Sequence, residues 1–124
     1  MSAFAHHVVA TWSYALSSND AQPLLDLSPA KRPCAGCAAL GDELKSRRAD
    51  GWHVDLPGVD IGSTKLSGVR AEPVATMEIS IPESASYRDD GSYRNTSPAH
   101  PDGTFTVEMR FVKGAFRLLS FSVT

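Results

Sequence analysis

Helical patterns in the first part of the chain give way to period-two patterns that persist to the end, without strand–helix alternation. This predicts an α+β fold: three N-terminal helices packed on a curved antiparallel sheet of about five strands. The closing stretch, 104–123, supports this most strongly. Phe105, Val107, Met109 and Phe111 are apolar and alternate with Thr106, Glu108 and Arg110, as on a half-buried strand. In the return run Leu119, Phe121 and Val123 share one face, and Ser120 and Ser122 the other. If these two apolar faces coincide, odd residues pair with odd and the loop has odd length. A Val112-Lys113-Gly114 loop with a left-handed Gly114 satisfies that, setting Phe111 against Ala115, Val107 against Leu119 and Phe105 against Phe121. A two-residue loop would oppose Arg110 and Arg117 and mix the faces.

Residues 3–18 carry Phe4, Val8, Trp12 and Ala15/Leu16 at helical spacing, widened by Ala5 and Val9. Ser17-Ser18-Asn19-Asp20 breaks this helix, and Asp20 is placed to cap a short second one through Leu24, Leu25 and Leu27, with Pro23 in its first turn. Residues 28–33 form a turn-rich connector. A third helix is expected to start near Cys34, bury Cys37, Leu40 and Leu44, and stop at Gly51. Lys45, Arg47 and Arg48 then lie at the negative end of its dipole.

The period then changes. Trp52, Val54 and Leu56 alternate with His53 and Asp55; 65–70 is a weaker strand interrupted by Gly68. Ala75, Met77, Ile79 and Ile81 form one face of a better strand. Residues 84–103 are polar and rich in turn signals, giving a long loop or a strand extension. The three helices are the cover available for the sheet's apolar face, which closes a cone.

At 124 residues the chain is read as a single domain, 1–124. Its formal charge of −2 speaks against a nucleic-acid binder and against a polybasic membrane surface. No apolar run is long enough to span a bilayer. Met1-Ser2-Ala3 runs straight into a helical pattern, so the expectation is a cytoplasmic protein or one whose export segment has been removed.

Cys34-Ala35-Gly36-Cys37 permits a structural disulfide, a pair of free thiols, or a redox or metal-binding dithiol. A redox role lacks the βαβ context that usually accompanies it, and zinc would need two more soft ligands at matching spacing, so the structural disulfide leads. Closing so small a ring stabilises by only about 2 kcal/mol, enough to pin a helix start. Adjacent His6 and His7 diverge on a helix and do not chelate one metal. His53, Asp55 and Asp60 read as an exposed face. Trp12, Tyr14, Trp52, Met77, Met109 and Phe111 are the candidate lining of a pocket at the open end of the cone, although a core needs the same residue types. Residues 87–94 mix Tyr and Arg, types enriched at binding hot spots, within a polar loop.

The order of these features resembles the cone-shaped superfamily that includes nuclear transport factor two, SnoaL-like proteins and ketosteroid isomerase, also called cystatin-like. The features are the helix Val8-Val9-Ala10-Thr11-Trp12-Ser13-Tyr14-Ala15-Leu16, the Asn19-Asp20 break, Leu24-Leu25-Asp26-Leu27, and the closing strand Phe116-Arg117-Leu118-Leu119-Ser120-Phe121. With the Cys-x-x-Cys, they resemble an uncharacterised family of bacterial surface lipoproteins of this fold. That resemblance implies an exported ectodomain. An isomerase of the superfamily uses a phenolic donor on the first helix and a carboxylate after the second. The corresponding positions here hold Trp12 and the stretch Ala30-Lys31-Arg32-Pro33-Cys34, which has no carboxylate.

The reading is therefore a non-catalytic binding or accessory domain of an exported bacterial protein, with a Cys34–Cys37 disulfide and with no cofactor, metal or catalytic residue assigned. Its expected partners are a small apolar ligand and a second copy docked through the outer face of the sheet, where Phe116 and Leu118 are placed. The alternative is a small cytosolic pocket enzyme of the SnoaL or isomerase type acting on an apolar molecule. An Asp, Glu, Tyr or His inside the cone beside a titratable partner would favour the enzyme.

Overall fold

The computed structural model of the chain describes residues 1–29 and 32–124. Part of the 28–33 connector, including Ala30 and Lys31, lies outside the described residues. Helix α1 (Ser2–Ser18) buries Ala5, Val8, Val9, Trp12 and Ala15, the stripe that its spacing predicts. It ends at Asn19, whose φ of 56° is the left-handed turn tolerated by Asn. Helix α2 (Gln22–Leu25) is one turn long, with Pro23 where no intrahelical donor is needed. The Asp20 carboxylate accepts a hydrogen bond from the Gln22 amide at 3.0 Å, and Leu27 falls beyond the helix. Helix α3 (Cys37–Asp50) starts three residues later than expected, because Gly36 takes a positive φ of 95°. It ends at Gly51, with Arg47 and Arg48 in its last turn.

Seven strands follow, arranged in two antiparallel sheets, against an expectation of about five. The larger has the order β2 (Asp60–Val69), β3 (Glu72–Ile81), β6 (His100–Val112), β7 (Ala115–Val123). The smaller has the order β1 (Trp52–Asp55), β4 (Ser84–Arg88), β5 (Tyr93–Ser97). The polar stretch after residue 84 is therefore a hairpin, turning at Asp89-Asp90-Gly91-Ser92, rather than one long loop. The helices cover the apolar face of the larger sheet, where Ala75, Met77, Ile79, Phe105, Val107 and Met109 are buried against Val8, Val9 and Trp12.

The closing ribbon differs from its expected register. Its loop has two residues, Lys113 and Gly114, with φ of 50° and 82°, so Val112 opposes Ala115 and Arg110 opposes Arg117. Such a turn matches the twist of the flanking strands better than a three-residue loop. The mixed faces it creates are corrected four residues later. Met109 opposes Leu118 but Glu108 opposes Ser120, so Leu119 is an extra residue, a β-bulge. Before the bulge Leu118 faces inward and is fully buried; beyond it Phe121 and Val123 pack against the core and are partly buried. Leu119, expected in the core, is half-buried, and Leu118, expected on the outer dimer face, is inside. Phe116 packs against Phe4 and Phe111, with ring centroids 5.9 Å and 5.1 Å away.

Candidate functional site

The six residues proposed as a pocket lining lie in three different environments. Trp12, Met77 and Met109 belong to the packed core, with the Trp12 ring edge-on to Phe105 at 5.4 Å. Phe105 in turn stacks on Phe121 at 5.7 Å. These rings and thioethers fill the space beneath α1. Tyr14 is 55% exposed on the outer side of the helix, and Phe111 is 51% exposed at the far hairpin. Trp52 is half-buried on β1.

Among the described residues the buried polar side chains are Thr11, Ser13, Asn19, Ser28 and Ser86. Thr11 donates to the His7 carbonyl at 2.7 Å, and Asn19 Nδ2 donates to the Trp52 carbonyl at 2.8 Å. Asp55, Glu78 and Tyr14, which an enzyme of this shape would aim inward, are all exposed. Asp60 is exposed on a different sheet from His53, whose ring lies 6.2 Å from that of Tyr87. Among the described residues no group of three or more His, Cys, Asp or Glu is placed to hold a metal ion.

Cys34 and Cys37 form a disulfide, with their α-carbons 5.2 Å apart and both residues buried. The bridge brackets Ala35, which lies along the free edge of β7. The Ala35 amide donates to the Leu119 carbonyl at 2.9 Å, and its carbonyl accepts from the Phe121 amide at 3.2 Å. The Leu118 amide donates to the Leu27 carbonyl at 2.8 Å. Ser28 Oγ accepts from the Cys34 amide at 3.0 Å, tying the connector to the bridge. The disulfide thus fixes a plug on a sheet edge that would otherwise expose unpaired backbone groups. Gly36 completes the plug: a Cβ there would lie 3.0 Å from the Phe121 carbonyl oxygen.

On the smaller sheet, two guanidinium groups lie over the Trp52 ring. Arg94 is 3.7 Å and Arg47 4.9 Å from its centroid. Arg94 also reaches Asn95 Oδ1 at 3.4 Å, and Asn95 Oδ1 lies 2.5 Å from Ser86 Oγ. Tyr87 meets Tyr93 edge-on at 6.3 Å, and the Tyr93 hydroxyl bonds Thr96 Oγ1 at 2.7 Å. The Tyr/Arg segment 87–94 is thus an ordered aromatic face. In the turn, Ser92 donates from its hydroxyl and its amide to the Asp90 carboxylate and holds its pKa below the usual carboxylate value.

An apolar concavity lies at the other end of the molecule, between the β2–β3 and β6–β7 hairpins and the start of α1. It is a cleft of about 450 Å³ lined by Met1, Arg70, Ala71, Phe111 and Phe116. The Phe111 amide donates to the Ala71 carbonyl at 3.0 Å, holding the two hairpins together. Of the predicted lining residues, only Phe111 reaches this cleft. Ala71, Phe111 and Phe116 close to turn residues are the sequence signal for it.

Helices laid over the concave side of a curved antiparallel sheet, with a second small sheet extending the wall, make this an α+β cone. The chain has the nuclear-transport-factor-two-like, cystatin-like fold. It is similar to an NTF2-like protein with a cystatin-like fold from Novosphingobium aromaticivorans, at 16% identity and TM-score 0.51, covering 94% of this chain and 76% of that one. ActVI-ORFA from Streptomyces coelicolor is similar at 16% identity and TM-score 0.56, covering 98% and 89%. The intermembrane space region of the chloroplast protein ARC6 is similar at 13% identity and TM-score 0.60, covering 97% and 93%. No protein-family model matches the chain, and neither does any curated protein sequence. Likeness at these identities concerns the fold.

Proposed function

We propose that residues 1–124 form one non-catalytic binding or accessory domain of an exported bacterial protein. The observation that carries this reading is the packed interior. Trp12, Phe105, Met77 and Met109 occupy the space where a cone of this shape would hold a substrate. General acid–base chemistry needs a titratable group held beside its target, and Asp55, Glu78 and Tyr14, the candidates for that role, are exposed. Binding therefore falls to the surface, and a small apolar ligand has the Phe111–Phe116 cleft available to it.

The buried Cys34–Cys37 disulfide supports an oxidising compartment. Among the described residues no helix is long and apolar enough to cross a membrane.

The test uses a neutral apolar fluorophore, N-phenyl-1-naphthylamine, with the oxidised protein. Any binding is expected to be lost in Phe111→Ser and retained in Trp12→Phe. Binding that disappears in Trp12→Phe while the fold persists would place the ligand inside the cone and overturn the reading. Two reactive thiols in protein recovered from an oxidising compartment would overturn its exported part.

A further inference from the structure

Most of the large apolar side chains exposed on this protein are gathered at one end. Leu66 and Val69 precede the β2–β3 turn, Phe111 and Val112 precede the β6–β7 turn, and Met1, just before α1, lies beside both. Val69 is 66% exposed. The four hairpin residues stand at or near the strand ends rather than in a deep groove, so they reach the partner first. Around them are Lys65, Arg70, Arg110, Lys113 and Arg117, all exposed. Among the described residues, the carboxylates on these two hairpin ends are Glu72, which is already paired with Arg110, and Glu108, which shares a cleft with Arg110. Asp26 lies across a neighbouring cleft from Lys113 and Arg117. The formal charge of −2 thus conceals an apolar-tipped end with an excess of cations.

We propose that this end docks on the surface of an anionic lipid bilayer. Apolar tips enter the interfacial region, and the surrounding cations meet the lipid phosphates. Charge selects this occupant over a second copy. In an isologous pair through the same patch, these cations would face one another with too few carboxylates to answer them. The inference deepens the binding-domain reading by naming the partner, and rests on it only in placing the binding surface outside the cone.

The experiment is co-sedimentation of the oxidised chain with vesicles of phosphatidylcholine, alone or mixed with phosphatidylglycerol. Binding is expected to the mixed vesicles and not to the neutral ones, and to fall steeply with added salt. Arg70→Gln and Lys113→Gln each weaken partitioning about fivefold. Val69→Asp, on an exposed turn, weakens it about tenfold or more while leaving the thermal melt unchanged. Failure to sediment with mixed vesicles, equal binding to both compositions, or binding indifferent to all three substitutions would overturn the inference. Lipid-independent dimerisation abolished by Val69→Asp would overturn it in favour of self-docking. These outcomes leave the apolar-probe test of the packed interior untouched, so the two readings fail separately.

Discussion

Replacing Leu118 with alanine removes a branched side chain that has no exposed surface and packs in the core beneath the helices. Buried leucine truncations cost the lost transfer energy plus a cavity term, about 3 kcal/mol for a site this enclosed. Leu119, one residue further on, is half-buried at the bulge, so its truncation costs about 1 kcal/mol. In a chain of 124 residues each kcal/mol shifts the melting temperature by about 4 °C. Leu118→Ala should therefore melt about 12 °C lower than the parent, and Leu119→Ala about 4 °C lower. Thermal unfolding followed by circular dichroism measures both differences. The reverse order, with Leu119→Ala the more damaging, would restore the three-residue loop and refute the bulged register.

Three further outcomes follow from the plug on β7 and the β4–β5 turn. Gly36→Ala must hold a side chain at a positive φ of 95° and within 3.0 Å of the Phe121 carbonyl oxygen, so it should cost about 2 kcal/mol by chemical denaturation; a neutral substitution would contradict this geometry. Reducing the disulfide should lower stability by about 2 kcal/mol and speed hydrogen exchange at the Ala35 and Phe121 amides, whereas unchanged exchange there would show that the plug does not depend on the bridge. The Asp90 pKa is lowered in the folded state, so its contact with Ser92 contributes above the unfolded pKa and is lost as pH falls through the folded value. Carboxyl chemical shifts should put its midpoint below the ordinary Asp value, and a midpoint at or above that value would contradict the turn geometry.

Where a single local rule decides, the chain is readable. The Phe4-to-Leu16 spacing locates α1 and its buried face, and the Ala75-Met77-Ile79 alternation locates the inner face of β3. The last ribbon shows how two local rules compete. Side-chain alternation favours an odd loop, turn chemistry favours the two-residue Lys113-Gly114 turn, and one extra residue at Leu119 satisfies both. Nothing in the alternation alone marks that residue, since Leu118 and Leu119 are the same type. The aromatic list fails for a related reason. Trp12, Met77 and Met109 are needed to fill the cone, while Tyr14, Trp52 and Phe111 have the same residue chemistry but different neighbours. The basic end was illegible from total charge because its cations come from hairpins far apart in sequence, and only the fold brings them together.

The central claim, that the cone is filled by its own side chains, is tested most directly by proton–proton Overhauser contacts from the Trp12 indole. The account predicts contacts to the Phe105 ring that persist at saturating N-phenyl-1-naphthylamine. Loss of those contacts on adding the probe, with new contacts from Trp12 to it, would contradict the account.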